Sequence, residues 1–326
     1  MSSMSRNLPS RTLASARISP PEKTSVFFVK TRTRASLSTV GTTRQPASPH
    51  SSLGLCFTDT SNPFPVHGNA GHIAQAIRPA SYHALTDTSR YHVLAFDYRG
   101  FGRSTGSPTE KGLIIDAVTA VNWAINVAGV PANRIVLLGQ SLGTAVATAT
   151  AEYFAKEGTD FAGVVLVAGF SSIPTMLSGY AISGWVPILA PFRAWPWLLK
   201  RVMRVIVDKW ESANRWRETV RLVKARNGRL RLHLVHAKND WDIPCHEDDK
   251  LFASAVGGFV GAHEEGMSEE RLAAEKLTRT VTRGKDSFVA TWAEGDVVIR
   301  QELFPYGGEL LFSECQSGEE ADPFRT

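Results

Sequence analysis

From Tyr91 onward, short apolar runs alternate with longer stretches of helical spacing. The predicted strands cover residues 91–97, 135–138, 163–168, 230–235, 288–292 and 297–304. The first predicted helix has Ser107 as its N-cap and Pro108 at its first position, and Gly129 ends it. A helix of small residues is predicted over 142–156. Strands separated by crossover helices indicate an α/β fold with a mostly parallel, doubly wound sheet.

The amino-terminal part has a different composition. Residues 1–50 are rich in Ser, Thr, Arg and Pro without apolar periodicity, so we expect 1–60 to be a disordered basic tail. Eight Lys and Arg stand there against the single acid Glu22, so the formal net charge of +5 becomes −2 over residues 51–326. Binding of nucleic acid is therefore not expected.

Composition also bears on location and cofactors. The start is Arg- and Ser-rich, which allows organelle targeting, but it lacks the apolar core of a secretion signal. We therefore expect an intracellular protein, either cytoplasmic or peripheral to a membrane. The three cysteines, Cys56, Cys245 and Cys315, form no CxxC pair and suit neither a disulfide framework nor a zinc site. No cofactor is expected.

One long segment lacks charge. Residues 161–192 contain no Asp, Glu, Lys or Arg, but three prolines interrupt any helix long enough to span a bilayer. The aromatic residues that follow the predicted strand 163–168 include Trp185, Phe192, Trp195, Trp197 and Trp210. Two interpretations stay open for this stretch. It forms core helices, or it forms an apolar helical lid over about 172–215 that lines an acyl pocket or touches a bilayer surface.

A G-x-S-x-G sequence stands at residues 139–143 (GQSLG). It directly follows the predicted strand 135–138 and opens the predicted helix 142–156, which is the context of a nucleophile elbow. Glycines beside Ser141 relieve crowding in such a tight strand-to-helix turn. The alternative is a glycine-rich turn without chemistry.

Two further stretches supply the other parts of such a site. In the H-G-x-x-G stretch 67–71, the amide of Asn69 could join that of Leu142 in an oxyanion hole, although a plain glycine turn fits equally. After the predicted strand 230–235, Asp240 and Asp242 are both candidates for the acid. Asp242 could instead cap the helix that follows, so Asp240 is favoured.

The stretches 67–71 (HGNAG), 91–104 (YHVLAFDYRGFGRS), 139–143 (GQSLG) and 236–244 (HAKNDWDIP) occur in that order. With them, the sequence resembles the α/β-hydrolase superfamily, and within it the fungal relatives of membrane-associated monoacylglycerol and lysophosphatidylserine lipases. The resemblance implies an α/β-hydrolase domain over 61–308 that cleaves fatty acyl esters or thioesters. It implies Ser141 as nucleophile, Asp240 as triad acid, and Asn69 and Leu142 as the oxyanion hole.

The sequence departs from the family pattern at both ends. The family places a histidine after the last strand, behind a Gly-Gly pair, where this sequence has Glu309. No histidine follows His263, and His263 and His246 are expected on the surface. We therefore leave the triad base unassigned and expect 309–326 to be a tail foreign to the family. At the other end, Pro63 and Pro65 stand where relatives have an apolar strand.

These departures lead to two main hypotheses. Loss of a triad member typically lowers kcat by about 10⁴ to 10⁶, so the first hypothesis is an impaired serine esterase acting on lipid-like acyl esters. The second is a catalytically inactive lipid-binding or interaction protein. A peptidase of the oligopeptidase kind is disfavoured, because residues 1–90 are too short and polar for its accessory domain. The oligomeric state is not predicted.

Overall fold

The computed structural model describes residues 26–29, 52–58, 85, 91–102, 104–179, 181–182, 186–187, 206–240, 242–260 and 269–307. Several residues of the sequence analysis lie outside the described part. These are Glu22, Pro63, Pro65, Asn69, Trp185, Phe192, Trp195, Trp197, His263, Glu309 and Cys315.

Eleven strands are present in the described part of the chain. They are β1 Val26–Val29, β2 Ser52–Thr58, β3 Tyr91–Phe96, β4 Ile135–Gln140, β5 Gly163–Val167, β6 Ala181–Ile182, β7 Val186–Pro187, β8 Leu230–Ala237, β9 Thr280–Gly284, β10 Ser287–Glu294 and β11 Val297–Phe304. All six strands predicted from the pattern of apolar runs are therefore confirmed, with small shifts at their ends.

The helices of the described segments are α1 Glu110–Asn126, α2 Leu142–Lys156, α3 Ile173–Gly179, α4 Ser212–Ala225, α5 His246–Val260 and α6 Glu269–Thr278. The predicted start of the first helix is wrong by two residues. Thr109, with extended backbone angles, is the N-cap, and its side chain accepts a hydrogen bond from the Gly112 amide at 3.1 Å. A short threonine side chain in this conformation satisfies an amide that the first helical turn leaves free.

Nine strands form one sheet in the order β1-β3-β2-β4-β5-β8-β11-β10-β9. The six neighbours from β3 to β11 are parallel, whereas β1, β10 and β9 join as antiparallel pairs at the two ends. The sheet is thus mostly parallel, as predicted. The carboxyl ends of its parallel strands meet at one edge, where open α/β sheets place their ligands.

The two faces of the sheet bury different sets of side chains. Alternate residues along each strand point to opposite faces, so Leu94 and Phe96 face one way and Val93 and Ala95 the other. The main core lies between the first face and the helices, and Trp216 of α4 and Phe252 of α5 are among its largest fully buried side chains. Because the helices pack on this core, their first residues have defined positions near the carboxyl edge of the sheet.

The expectation of a disordered tail over residues 1–60 is wrong at two places. Strands β1 and β2 both lie in the main sheet, and β2 occupies a central position between β3 and β4. Its residues, SLGLCFT, carry too few large apolar side chains to stand out by periodicity. Strand β2 ends at Thr58, upstream of Pro63 and Pro65 in the sequence, so neither proline falls within it.

The two ends of the segment 172–215, which was considered as a lid, are joined to each other by backbone hydrogen bonds. The Ile173 amide donates to the Lys209 carbonyl at 2.9 Å, and the Ala213 amide donates to the Ser171 carbonyl at 3.0 Å. Trp210 is 5% exposed and belongs to the main core, so the core interpretation applies to this residue. Among the helices of the described residues, none is long and apolar enough to cross a membrane.

Candidate active site

Ser141 lies at an abrupt change of direction between β4 and α2. Its φ of 52° and ψ of −124° fall in a region that residues with a side chain rarely occupy. Such a conformation costs about 1 to 3 kcal/mol and persists only where the surroundings impose it. The side chain is buried, with 9% of the residue exposed. Ser141 therefore lies in a strand-to-helix turn, and its role as a nucleophile stays a prediction.

Gly139, two residues before Ser141, makes this turn possible. A Cβ at Gly139 would lie 2.4 Å from the Gly143 carbonyl oxygen and 2.8 Å from the Cα of Thr144. Both contacts are with backbone of the first turn of α2, which cannot move aside without unwinding the helix. Strand and helix therefore pack this closely only because Gly139 has no side chain.

The backbone around Ser141 is also anchored by hydrogen bonds. Its amide donates to the Val167 carbonyl at 3.0 Å, which ties the turn to the end of β5. Its carbonyl accepts from the Thr144 amide at 2.9 Å and from the Thr144 hydroxyl at 2.6 Å. Leu142 is the first residue of α2, so its amide has no acceptor within the helix. The oxyanion role of Leu142 and Asn69 stays a prediction, because Asn69 lies outside the described residues.

Asp240 lies in the turn that follows β8, two strands from β4 at the same edge of the sheet. Since neighbouring strands are about 4.8 Å apart, the two turns begin about 10 Å from each other. The Asp240 side chain is 4% exposed. Its Oδ1 accepts hydrogen bonds from the amides of Asp242 and Ile243, at 2.9 and 2.8 Å. As whole residues Asp240 and Asp242 are both half-buried, so the preference for Asp240 as the acid stays a prediction.

A buried histidine, which the sequence analysis did not single out, lies beneath this turn. His236, in β8, has no exposed surface, and its Nε2 lies 2.8 Å from the Ile243 carbonyl oxygen. Its Nδ1 is 3.2 Å from Oδ1 of Asp248 in α5, and its Nε2 is 3.6 Å from Oδ2 of Asp240. The only sequence signal was a histidine ending an apolar strand, with acids twelve residues later.

Burial and neighbouring charges shift the pKa of His236, Asp240 and Asp248. Burial alone would lower the pKa of His236, but Asp248, Asp240 and the Ile243 carbonyl outweigh it and raise that pKa to about 9. Burial raises the pKa of Asp240 and of Asp248, against the opposing charge of His236. Because both ring nitrogens of His236 face acceptors, this imidazole is not available as a general base for Ser141.

The other described histidines after β5 are also engaged elsewhere. His246 is on the surface at the start of α5, with 56% of its side chain exposed, as predicted. His233 is on the opposite face of β8 from His236, with its Nε2 3.2 Å from Oε2 of Glu302. His263 and Glu309 lie outside the described residues, so the triad base stays unassigned.

A second buried acid joins α5 to the end of β5. Oε2 of Glu247 accepts hydrogen bonds from the Ser171 hydroxyl at 2.5 Å and from the Ser171 amide at 2.8 Å. Oε1 of Glu247 lies 2.5 Å from Nζ of Lys250. The first turn of α5 therefore contacts Ser171, in the segment after β5, through Glu247, and it contacts His236, in β8, through Asp248.

This combination of a parallel sheet, a strained serine after a central strand and a buried acid two strands away is typical of one class of enzymes, the α/β hydrolases. Comparison with known families agrees with that assignment. Residues 66–299 match the family described as "Alpha/beta hydrolase family". The chain therefore belongs to the α/β-hydrolase family.

Some of the relatives that the chain resembles are named as lipases. The chain is 34% identical over 195 residues to human "Protein ABHD12B", covering 60% of this chain and 49% of that protein. It is 36% identical over 197 residues to "Lysophosphatidylserine lipase ABHD12" of Rattus norvegicus, covering 59% and 44%. The chain thus spans about half the length of the curated relatives that it matches.

Solved structures with similar folds are more distant. An α/β hydrolase from Vibrio vulnificus aligns with a TM-score of 0.46 and 20% identity, covering 63% of each chain. The esterase Est1E from Butyrivibrio proteoclasticus, solved with ferulic acid bound, aligns with a TM-score of 0.44 and 16% identity, covering 72% of this chain and 82% of the esterase. Similarity at this level carries no argument about substrate.

Proposed function

We propose that this chain is an acyl-ester hydrolase of the lysophospholipid or monoacylglycerol type, impaired in its general base. Ser141 is the nucleophile, Asp240 is the triad acid, and the amides of Leu142 and Asn69 form the oxyanion hole. The observation that carries the proposal is the strained backbone of Ser141, because a serine does not adopt these angles without support from its surroundings. The lipid class rests on the names of the relatives.

The chemistry follows the usual course of acyl transfer. The Ser141 oxygen attacks the ester carbonyl, a tetrahedral oxyanion forms facing the two amides, and the alcohol leaves with a proton. Water then attacks the acyl-serine, and its collapse releases the carboxylic acid and restores the Ser141 hydroxyl. A base must take the hydroxyl proton in the first step and return it to the leaving alcohol. Glu309 stands at the family position of the histidine, and a glutamate carboxylate is a much weaker base for a serine hydroxyl than an imidazole is.

The substrate would approach from the carboxyl edge of the sheet, where the segment 172–215 begins and ends. Its apolar aromatic residues suit contact with an acyl chain, and peripheral contact with a bilayer through this segment is part of the proposal.

The proposal is tested with p-nitrophenyl butyrate and p-nitrophenyl octanoate. We expect the unaltered protein to hydrolyse both no faster than Ser141→Ala, whereas Glu309→His raises the rate by about 10²-fold or more. The double variant Ser141→Ala/Glu309→His is the matched control and should lose the gain. Free imidazole added to the unaltered protein should produce a smaller gain that also depends on Ser141.

Two results would contradict this proposal. Turnover by the unaltered protein far above that of Ser141→Ala would show that a base is present and that the impairment is wrong. Turnover that stays at the Ser141→Ala level both with Glu309→His and with added imidazole would remove the case for a hydrolytic site.

The second candidate is a lipid-binding protein without catalysis. The observation that favours it is that the imidazoles of His236 and His233 are bound to other groups and that His246 is on the surface. A non-hydrolysable monoacyl ether lipid separates the two candidates. Saturable binding together with absent turnover in every variant above would favour this function.

A further inference from the structure

Two buried groups, His236 and Asp248, lie beneath the candidate acid Asp240. His236 lies between Asp240, on the turn after β8, and Asp248, in the first turn of α5. The side chains of His236, Asp240 and Asp248 are 1%, 4% and 0% exposed. One positive ring between two carboxylates leaves a single negative charge in excess, instead of two charges buried without compensation.

The hydrogen bonds fix the protonation of one ring nitrogen. A carbonyl oxygen only accepts, so Nε2 of His236 carries a proton and donates it to Ile243. The amide of the same Ile243 donates to Oδ1 of Asp240 at 2.8 Å. A single residue of the turn therefore connects the imidazole to the candidate acid.

The second ring nitrogen faces the most buried of the acids. Nδ1 lies 3.2 Å from Oδ1 of Asp248, an ion-pair contact without the alignment of a hydrogen bond. Within the described residues, neither carboxylate oxygen of Asp248 has a hydrogen-bond donor. An ionised carboxylate without donors is stable in such a place only beside a cation, and His236 is the basic group in contact with it.

We propose that His236 and Asp248 form a positioning pair for Asp240, in which His236 is the imidazolium that keeps the Asp240 carboxylate ionised and holds its turn at the edge of the sheet. Neither member touches the reacting atoms. The role rests on the proposed function, because it presupposes that Asp240 is the triad acid.

Other charged groups near His236 and Asp248 also influence the titration of the pair. On α5, Asp249 acts on Asp248, and so does Lys276 of α6 from the neighbouring helix. Asp249 in turn pairs with Lys276 at 2.5 Å and accepts from Gln301 of β11 at 2.9 Å. Burial raises the pKa of the Cys245 thiol, before α5, and the charges of Asp249 and Asp248 raise it further.

The direction of the pH dependence follows from the raised pKa of His236. With an ordinary pKa of 6.5 and a value of about 9 in the fold, the pair contributes its full stability below pH 6.5. That contribution is lost as the pH rises through about 9. We therefore expect the imidazolium to be present throughout the neutral range.

The experiment is a pH titration by nuclear magnetic resonance of the labelled full chain. Ring nitrogen shifts of His236 should show an imidazolium up to about pH 8 in the unaltered protein. In Asp248→Asn, its midpoint should fall by at least about one pH unit. His246, exposed on the surface, is the internal reference. A neutral His236 ring at pH 7 in the unaltered protein would overturn the proposal.

A second measurement follows the acid itself. The Cγ shift of Asp240 should report a higher pKa in His236→Gln, by at least about one pH unit, because its neighbouring cation is lost. The matched control is His233→Gln, on the other face of β8, which should leave the titration of Asp240 unchanged. An equal Asp240 titration in the unaltered protein and in His236→Gln would overturn the positioning role. If His236→Gln fails to fold, His236→Asn provides the same comparison, because it also removes the cation beside Asp240.

The titrations require no turnover, so they separate this inference from the proposed function. In the Glu309→His background, His236→Gln should shift the acidic limb of the kcat profile upward while KM stays nearly constant. Titrations as expected, with no Ser141-dependent turnover in any variant, would refute the proposed function and with it the assignment of the pair to a triad acid. Turnover with an unmoved acidic limb would refute the positioning role alone.

Discussion

The turns that carry Ser141 and Asp240 lie at the same edge of the sheet, but different forces hold them. The Ser141 turn depends on close backbone packing, since α2 approaches β4 at Gly139 more closely than any side chain would permit. The Asp240 turn depends on buried charge, since His236 and Asp248 lie beneath it and the turn amides converge on its carboxylate.

This difference has a consequence for substitution. Added volume is costly where backbone atoms are closely packed, whereas removal of one partner is costly where charges are buried together. The Ser141 turn should therefore be most sensitive to an added methyl group. The supports of the acid turn should be most sensitive to the loss of a polar atom, with an effect that changes with pH.

Gly139→Ala should have the largest effect. The new Cβ would overlap backbone atoms of Gly143 and Thr144 at 2.4 to 2.8 Å, and nothing flexible lies there to give way. We expect a loss of about 3 kcal/mol or more in the free energy of unfolding, or a failure to fold. Urea denaturation followed by circular dichroism measures it.

The matched control is Gly257→Ala in α5. A Cβ there would meet only Nε of Arg217, at 3.9 Å, so the higher helix propensity of alanine should make this variant neutral or more stable by up to about 1 kcal/mol. Equal effects of Gly139→Ala and Gly257→Ala on the free energy of unfolding would show that the Ser141 turn is not held by packing.

The same contrast explains what the sequence could and could not predict. The Ser141 turn was predictable because its cause, small residues flanking a serine between a strand and a helix, lies within five consecutive positions. The partners of the Asp240 turn were not, because Asp248 contacts His236 only after α5 has packed on β8. Strand β2 was missed for a related reason, since its central place follows from pairing with β3 and β4 and not from its own modest apolarity.

Ser171→Ala should have the next largest effect, on the α5 side of the edge. It removes the hydroxyl that donates to buried Glu247 at 2.5 Å, although the Ser171 amide and Lys250 still contact that carboxylate. Loss of a hydrogen bond to a charged group costs about 2 kcal/mol. Burial would raise the pKa of Glu247, but its bonds to Lys250 and Ser171 hold that pKa below the ordinary value of 4.5.

Because this pKa is lowered in the fold, the stabilisation is complete above about pH 4.5 and is lost as the pH falls through the folded value. The deficit of Ser171→Ala should therefore be largest at neutral pH and shrink in acid. Ser172→Ala is the control, because the Ser172 hydroxyl pairs with the hydroxyl of Thr175 at 2.7 Å and neither group titrates. A deficit of Ser171→Ala that does not vary with pH would argue against a charged Glu247.

Thr144→Val should have the smallest effect and tests the steric side of the comparison most directly. It keeps nearly the same volume but removes the hydroxyl that donates to the Ser141 carbonyl at 2.6 Å. The Thr144 amide still donates to that carbonyl at 2.9 Å, so we expect a loss of about 1 kcal/mol. Thr148→Val is the control, because its buried hydroxyl makes an equivalent bond to the Thr144 carbonyl at 2.7 Å, one helical turn away from Ser141. If packing at Gly139 holds the Ser141 turn, urea denaturation should show similar losses in the free energy of unfolding for the two variants. A loss for Thr144→Val several times that of Thr148→Val would mean that polar contacts hold Ser141 as well, and the two turns would differ less than their geometry indicates.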